Sequence, residues 1–504
     1  MGSKGEREKE TQQFFIAGDV SSAGRYRKLA KNTLIFALGT LGSRSIAFFM
    51  LPLYTRLLTQ KDYGILDIFQ TTVSLLVPVL SLEIVEAVFR FSMDEAKEGA
   101  KRIISTALLF TFLLLLASFG LIPIFARLEI FQMYLPYFYA IWFLTVLLGG
   151  VKQYVRALGQ VKIFAWSDIL YVLVFAGFNV IFMVLFHMGL RGYLLSYVLA
   201  QIVSFFFVAS AGRVFSRLSL RSFDRRLLRD MLAYSLPLIP NALMWWVMNV
   251  SDRYLILHFL GLEANGLYAV ACRFPVLLSV VTGVFFPAWQ ISAVEEFNAK
   301  DRNQYYAEIF ALCSSALFIL TGAVLLFLPE VTGLFVAPNF HEAWKYVPFL
   351  LFGTIFHAFA SFLGTVYLAS KDTIGALFTT TLGGLTNFLL NLIFIHWWGV
   401  QGAAFTTMIG FLVIWGARVA DTKKICPVCF NALRLYFALC LLGIEALVLF
   451  WHVPTVIRFF ISFGVFFALI ALERQNVVRV FSSVNQLTFV GKKVAKSIGR
   501  KGVI

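Results

Sequence analysis

Long apolar segments separated by short polar loops run through most of this 504-residue chain. About fourteen of them reach the roughly 20 residues that a helix needs to cross a bilayer. The predicted spans have cores near 32–57, 65–90, 103–126, 134–157, 163–187, 192–214, 232–258, 266–290, 305–328, 344–369, 374–396, 401–420, 432–451 and 455–472. This pattern predicts an all-α polytopic membrane protein. Prolines inside several spans predict kinked helices.

The first two spans carry charges within their apolar sequence. Arg44 lies near the centre of the first span, and Glu83, Glu86 and Arg90 lie towards the end of the second. An arginine at mid-membrane costs about 2.5 to 3.5 kcal/mol on insertion scales, so it normally faces a bundle interior or a wet cavity. This hairpin therefore predicts a membrane protein with a polar cavity.

The chain resembles itself at an offset of roughly 200 residues, a pattern typical of transporters. The matching pairs are Pro52 to Arg56 with Val250 to Arg253, Asp62-Tyr-Gly64 with Asn265-Gly266-Leu-Tyr268, Asn179 with Asn391, and Gly189 to Gly192 with Gly399 to Gly402. We therefore predict two six-helix lobes and a final helix pair outside the repeat. The predicted divisions are a tail at 1–27, a lobe at 28–214, a basic linker at 215–231, a lobe at 232–420, two helices within 421–472, and a basic tail at 473–504.

Composition supports the membrane interpretation, since 60% of the residues are hydrophobic and only 14% are charged. Soluble domains are about 45–50% apolar and about 25% charged. The formal net charge of +16 does not indicate nucleic-acid binding here. Lysine and arginine concentrate in alternate loops, most strongly between Arg213 and Arg229, and such loops remain in the cytoplasm. Both termini are therefore predicted to be cytoplasmic.

Few features indicate enzymatic chemistry. Cys426 and Cys429 form a Cys-x-x-Cys pair, but no second ligand pair and no thioredoxin-like context accompany it. We favour incidental cysteines over a labile metal or redox site, and we predict no cofactor and no metal. A phosphate-binding G-x-x-x-x-G-K-[ST] motif is absent from the sequence. A membrane glycosyltransferase or polymerase would need a long outer loop with carboxylates, and no predicted outer loop is long.

Three phrases resemble a known family. LPLYTRLLTQKDYG begins at Leu51, SDRYLILHFLGLEANGLYAVACR begins at Ser251, and NFLLNLIFIHWWGVQGAAFTT begins at Asn387. They are similar to the polysaccharide-transporter branch of the multidrug/oligosaccharidyl-lipid/polysaccharide exporter superfamily. That branch includes O-antigen and capsule repeat-unit flippases and stage V sporulation protein B. The resemblance spans residues 28 to 472.

The resemblance implies a V-shaped cavity between two lobes and alternating access in the bacterial cytoplasmic membrane. It implies a substrate of undecaprenyl-pyrophosphate-linked oligosaccharide, moved from the inner to the outer leaflet. Related lipid II flippases place cavity arginines on their first, second and eighth helices, which here carry Arg44, Arg90 and Arg273. Guanidinium groups suit this role because they bind pyrophosphate oxygens bidentately.

Each candidate arginine also has a structural interpretation. Arg44 and Arg273 could be buried interhelical hydrogen-bonding groups, and Arg90 could pair with Glu86 one helical turn away. Arg56 and Arg253 occupy equivalent repeat positions near helix ends, so they are substrate-binding candidates whose alternative is snorkelling to the interface.

The intramembrane acids and amides also have two interpretations. Glu83, Glu86 and Asp168 are candidates for coupling to sodium or protons, against a role in structural ion pairs. His357 and Glu445 also lie within predicted spans, and we favour packing for the histidine. Asn387 and Asn391 lie four residues apart on one helical face, which suits interhelical hydrogen bonding as well as substrate contact.

The sequence thus favours a lipid-linked oligosaccharide flippase that performs no covalent chemistry. Its predicted partners are the lipid-linked oligosaccharide, membrane lipid, sodium or protons, and polysaccharide assembly enzymes, with no nucleic acid. The alternatives are a lipid II flippase, a cation-coupled multidrug exporter and an envelope scaffold. Drug exporters usually stop at twelve helices, whereas the additional pair at 432–472 could hold a polyprenyl tail.

Overall fold

The computed structural model describes residues 48–94, 97–219, 222–370, 372–451 and 454–476, and these ranges form helices and turns without a strand. The first half contains α1 (Leu51–Leu57), α2 (Gln60–Leu80), α3 (Ile84–Asp94), α4 (Lys97–Ser118), α5 (Leu135–Ala157), α6 (Val161–Asn179), α7 (Gly189–Ala211) and α8 (Arg225–Ser235). The second half contains α9 (Leu238–Ala271), α10 (Val276–Glu295), α11 (Arg302–Leu326), α12 (Leu328–Phe335), α13 (Val347–Ser370), α14 (Thr373–Trp398), α15 (Val400–Thr422), α16 (Ala432–Phe450) and α17 (Thr455–Asn476).

The predicted helical membrane architecture is confirmed. Within the described ranges, 12 helices are long and apolar enough to cross a membrane, or 13 if the bent pair Val276–Pro287 and Ser292–Asn298 counts as one span. Most of the first predicted span, at 32–57, lies outside the described residues. The predicted total of fourteen spans therefore stays a prediction.

Two predicted spans differ from continuous helices. The span predicted at 65–90 is interrupted between α2 and α3, where Leu82 and Glu83 adopt positive φ angles of 53° and 52°. Pro78 precedes the interruption, and proline removes a backbone donor from the helix. The span predicted at 266–290 is interrupted between Ala271 and Val276, and Gly261 marks a kink before it with φ 87°. Sequence periodicity could not locate these breaks because both sides of each break remain apolar.

The described chain divides into two compact units. The first contains Val73–Ile239 and Gly283–Ala288, and the second contains Leu51–Thr72, Pro240–Thr282 and the chain from Trp289 onward. This division follows packing rather than the sequence repeat, so α2 contributes to both units. The predicted lobes at 28–214 and 232–420 stay a prediction.

In the first unit, α3, α4, α5, α7 and α8 share one apolar core that includes Ala87, Ile104, Tyr154 and Met231. Asp224 caps the N-terminus of α8, and its carboxylate accepts hydrogen bonds from the backbone N–H groups of two first-turn residues. Arginines cover the exposed side of α8, while Met231 is buried. The predicted basic linker therefore contains an amphipathic helix packed on this unit.

In the second unit, α13 is the most deeply buried span. It packs closely with α15 and also contacts α11. The ring of Phe362 on α13 stacks on Trp289 at a centroid distance of 4.6 Å, and the Trp289 indole donates a hydrogen bond to Thr365. These contacts anchor the far end of α10.

Candidate functional site

A buried ionic cluster in the second unit contains Arg253, the arginine predicted at the second-half repeat position. Its guanidinium lies 3.0 Å from Asp67 Oδ2 through Nε and 3.0 Å from Asp252 Oδ1 through Nη1. The side chain of Arg253 is 12% exposed, against 10% for Asp67 and 5% for Asp252. Arg253 is thus held between two carboxylates, an arrangement that differs from the snorkelling interpretation.

Polar neighbours complete this cluster. The Tyr268 hydroxyl donates to Asp252 Oδ2 at 2.5 Å, and the Thr407 hydroxyl donates to the same oxygen at 3.4 Å. The Asn265 amide donates to Asp67 Oδ2 at 3.3 Å and to the carbonyl of Gly64 at 3.3 Å. Two carboxylates facing one guanidinium leave one excess negative charge when all three are ionised. A low-dielectric site makes such an imbalance costly, so the hydroxyl and amide donors around the two carboxylates are needed to stabilise them.

The cluster lies beside a close helix crossing built on the repeated glycines. A Cβ atom on Gly64 would lie 2.1 Å from the carbonyl oxygen of Leu262, and one on Gly266 would lie 2.0 Å from that of Gln60. Only glycine permits backbones to approach this closely. The two phrases DYG and NGLY, which the sequence pairs as repeats, therefore meet in space.

A chain of buried amides and hydroxyls links α14 and α15. The Asn391 amide donates to Asn387 Oδ1 at 3.2 Å, and the Thr406 hydroxyl donates to Asn391 Oδ1 at 2.5 Å. Asn387 Nδ2 is buried without a hydrogen-bond partner among the described residues. The helices approach through Gly410, where an added Cβ would lie 2.8 Å from both Asn387 and Met248. This contact includes the interhelical hydrogen bonding that the asparagine spacing suggested.

The first unit brings together two predicted acids through one helix. On α5, Gln153 donates to Glu86 at 3.1 Å, and the neighbouring Lys152 forms an ion pair with Asp168 of α6. The guanidinium of Arg156 lies 4.7 Å from the ring of Phe89 and donates to Gln153 at 3.3 Å. These contacts place Glu86 and Asp168 in one polar band.

Arg90 lies on the same helix as Glu86, and its side chain is exposed, as is that of Arg156. The band thus combines exposed guanidinium groups with the carboxylates of Glu86 and Asp168. Such a surface can bind an anion through its arginines.

The remaining arginine candidates lie at helix ends. Arg56 is exposed in the last turn of α1, and Arg273 is half-buried in the turn between α9 and α10. The placement of Arg273 differs from the helical position expected for it. Arg44 lies outside the described residues. The structure therefore brings Arg253, among the described candidates, into a buried ionic cluster.

Glu83 has an unusual backbone conformation. It lies in the break between α2 and α3, where the preceding carbonyl of Leu82 accepts a hydrogen bond from the Ser235 hydroxyl at 2.7 Å. Positive φ angles cost energy in residues with a side chain, and such conformations cluster at functional sites. The break keeps Glu83 next to the first turn of α3, because the backbone N–H of Glu86 donates to the Glu83 carbonyl at 3.1 Å.

Sequence reasoning missed Arg418, a buried guanidinium on α15. It donates to the carbonyl of Ala360 at 2.6 Å and to the hydroxyls of Thr379 at 3.2 Å and Thr380 at 3.0 Å. No carboxylate pairs with it in the part of the chain that the structure describes. Arg418 thus joins α13, α14 and α15. Its position four residues before the end of an apolar span was the available signal.

His357 and the Cys-x-x-Cys pair lie outside these clusters. His357 contacts the rings of Trp245 and Phe411, at centroid distances of 6.1 and 4.8 Å. The Cys426 thiol is buried and donates to Asn303, while Cys429 is exposed. No group of three or more potential metal ligands occurs among the described residues.

Comparison with known proteins identifies the family. Residues 29–290 match the model of the polysaccharide biosynthesis protein family. A protein of the Lsg locus of Haemophilus influenzae is 24% identical over 330 residues, which cover 64% of this chain and 80% of that protein.

Solved structures share the fold. The lipid II flippase MurJ in an inward closed conformation has a TM-score of 0.68 and 14% identity, covering 88% of this chain and all of MurJ. An inward-facing multidrug resistance MATE transporter of the MOP superfamily has a TM-score of 0.63 and 17% identity, covering 79% of this chain and 98% of the transporter. The chain thus shares its fold with these two membrane transporters. On the extent of its match, this chain belongs to the polysaccharide biosynthesis protein family.

Proposed function

We propose that the protein moves an undecaprenyl-pyrophosphate-linked oligosaccharide from the inner to the outer leaflet of the bacterial cytoplasmic membrane. Family membership supports a polysaccharide precursor as the cargo. The fold shared with a lipid II flippase supports movement of a lipid-linked molecule without covalent chemistry. Both termini would then lie in the cytoplasm, beside the basic loops.

The Asp67–Arg253–Asp252 cluster is the observation that carries the mechanism. It joins α2, from the first repeat, to α9, from the second. Alternating access requires contacts between the repeats that form in one state and break in the other. An ion pair suits this role, because a competing anion or a protonation event changes its strength. Arg253 would exchange a carboxylate for the pyrophosphate, which uses the same bidentate geometry.

Arg44, Arg90, Arg273 and Arg56 are further candidates for headgroup binding. Arg156, which donates to Gln153 beside Glu86, is another in the first unit. Coupling to sodium or protons would use Glu83, Glu86 or Asp168. Asp168 already holds Lys152, so cation binding there requires that ion pair to open. The Glu86 carboxylate accepts a hydrogen bond from the neutral amide of Gln153 at 3.1 Å.

The decisive experiment measures translocation of a fluorescent undecaprenyl-pyrophosphate oligosaccharide in proteoliposomes. Wild type should move the lipid, and Arg44→Ala should reduce the rate at least about tenfold, since a charged hydrogen bond contributes about 1.5–3 kcal/mol. Arg225→Gln is the matched control, because Arg225 is exposed on α8. Wild-type protein that remains inactive under imposed sodium and proton gradients would contradict the proposal.

Lipid II is the second candidate cargo, favoured by the coverage of the whole MurJ chain. Both lipids present a pyrophosphate, so the arginine variants do not separate them. Competition with unlabelled lipid II and with a cationic drug in the same assay does. Inhibition by lipid II alone would replace the oligosaccharide proposal, and inhibition by the drug alone would favour multidrug export.

A further inference from the structure

A buried carboxyl group lies in the final helix pair, outside the sequence repeat. Glu445 belongs to α16, five residues before its end at Phe450, and its exposed fraction is 0%. A Cβ on Gly322 of α11 would lie 3.3 Å from Glu445 Oε2, 3.0 Å from Phe466 and 3.1 Å from Leu469. The carboxyl group therefore lies where α11, α16 and α17 meet.

Neither oxygen of this carboxyl group has a hydrogen-bond partner within the described ranges. The hydroxyls of Thr321 on α11 and Ser462 on α17 are also buried without a hydrogen-bond partner among the described residues. The neighbours of the Glu445 carboxyl group identified above, Phe466 and Leu469, are apolar. An ionised carboxylate without donors or a counter-charge is strongly disfavoured in such surroundings, whereas a neutral carboxylic acid is tolerated.

The same three helices hold a second buried glutamate that has the opposite environment. Glu473 on α17 is also 0% exposed, but its carboxylate lies 2.9 Å from Nη2 of Arg434. It also accepts hydrogen bonds from Ser315 at 2.5 Å and from Asn476 at 3.2 Å. Glu473 is therefore held as a paired anion. The contrast shows that Glu445 is not merely one member of a shared ionic network.

Charged and titratable groups on the elements around Glu445 do not compensate it. Along the described part of these elements, the groups are Arg302, Tyr305, Tyr306, Glu308 and Cys313 on α11; Arg434, Tyr436 and Cys440 on α16; Arg458, Glu473 and Arg474 on α17; and His341, Glu342, Lys345 and Tyr346 in the segment that contacts Phe450 through Trp344. None of them donates a hydrogen bond to Glu445. Arg434 pairs with Glu473, Arg458 with Glu330, and Lys345 with Glu342.

We propose that Glu445 is a proton-binding site, and that the bound proton holds α16 and α17 against α11. Two ion pairs also stabilise these helices: Arg434 of α16 pairs with Glu473 of α17, and Arg458 of α17 pairs with Glu330 of α12. In the sequence, Glu445 lies between Arg434 and Arg458. Loss of its proton creates a charge in the apolar contact, which loosens the packing at Gly322. The proposal does not depend on which substrate the protein carries.

Infrared spectroscopy of the full-length protein in nanodiscs tests proton occupancy directly. The wild-type spectrum minus that of Glu445→Gln should contain a protonated carboxyl carbonyl band at neutral pH, which converts to carboxylate bands at high pH. Carboxylate bands at neutral pH would overturn the proposal. Should Glu445→Gln not fold, Glu445→Asp supplies the subtraction, because the acid carbonyl band shifts with its surroundings.

Thermal unfolding across pH tests the link to packing. In the folded state Glu445 keeps a proton that the unfolded chain releases, so wild-type stability should fall as pH rises. Between pH 6 and pH 9 the melting temperature of both proteins is compared. The decrease for Glu445→Gln should be smaller than the decrease for wild type by at least about 2 °C. Glu308→Gln, on the exposed side of α11, should retain the wild-type pH response.

Glu473→Gln is the matched buried control. It should be destabilised at every pH, because it leaves Arg434 without its carboxylate. Equal pH responses of wild type and Glu445→Gln would overturn the proposal. So would a Glu445→Gln variant destabilised at every pH like Glu473→Gln, since that result requires a partner for the charged form of Glu445.

Discussion

Gly64 and Gly266 lie opposite each other at a helix crossing, and each packs against the equivalent backbone carbonyl of the other's helix. A Cβ on Gly64 would clash with the carbonyl of Leu262, which lies four residues before Gly266. A Cβ on Gly266 would clash with the carbonyl of Gln60, which lies four residues before Gly64. The contact is therefore reciprocal. Because the two glycines occupy equivalent repeat positions, the sequence repeat corresponds to a local two-fold arrangement of backbone.

Alanine at either glycine should destabilise this crossing. The added methyl group meets a backbone carbonyl that no rotamer change can move, and overpacking costs about 1–3 kcal/mol. Thermal unfolding in detergent measures the loss. Gly177→Ala on α6 is the control, because a Cβ there meets no atom within 4 Å. Equal stability of Gly64→Ala and Gly177→Ala would contradict the close approach.

The ionic cluster should respond unequally to loss of its members. Arg253→Gln leaves Asp67 and Asp252 buried without their guanidinium, and breaking a buried pair in this way costs about 3–5 kcal/mol. Asp67→Asn leaves a one-to-one pair of Arg253 and Asp252, so we expect a smaller loss. Unfolding free energies for both variants and for the double variant provide the coupling energy.

In this cycle, the double variant should recover part of the stability lost in Arg253→Gln, because it carries one unpaired carboxylate instead of two. Additive effects of the two substitutions would show that the charges do not interact. The excess of one carboxylate over the single guanidinium would then have no effect on the free energy of unfolding.

Arg418→Lys should destabilise the second unit although it keeps the charge. The guanidinium reaches one carbonyl and two hydroxyls in different directions, and an ammonium group cannot reproduce this fork. Loss of two hydrogen bonds at about 1 kcal/mol each predicts a decrease of about 2 kcal/mol in unfolding free energy. Lys424→Arg, at an exposed position after α15, is the converse control and should be neutral.

Alkylation should separate the two cysteines of the Cys-x-x-Cys pair. Burial raises the pKa of the Cys426 thiol, Arg302 opposes this shift, and the thiol donates to Asn303 at 3.3 Å. Little thiolate therefore forms at neutral pH, so Cys426 should react far more slowly than the exposed Cys429. Mass spectrometry of protein treated with a maleimide distinguishes them. Equal labelling of both in the folded protein at neutral pH would contradict this assignment.

The reaction of Cys426 should accelerate as pH rises, because more thiolate forms. Replacing both cysteines by serine should leave translocation unchanged. A loss of transport in that variant would favour the metal or redox alternative that the spacing alone left open.

The sequence by itself determined the membrane class, the helical fold and the approximate positions of the spans. These properties depend on local apolar length, which each segment carries in its own residues. The repeat was also readable, because DYG and NGLY keep equivalent residue types at equivalent places.

Only the tertiary structure decided how charges and backbone breaks are used. Nothing near Arg253 in the chain identifies Asp67 as its partner, since the two lie on different helices. The break at Leu82–Glu83 adjoins a hydroxyl from Ser235, and Arg418 takes its partners from two other helices. Glu445 looked like one more intramembrane acid until its neighbours were known. In each case the free energy of a polar group depends on what surrounds it, and those surroundings come from distant parts of the chain.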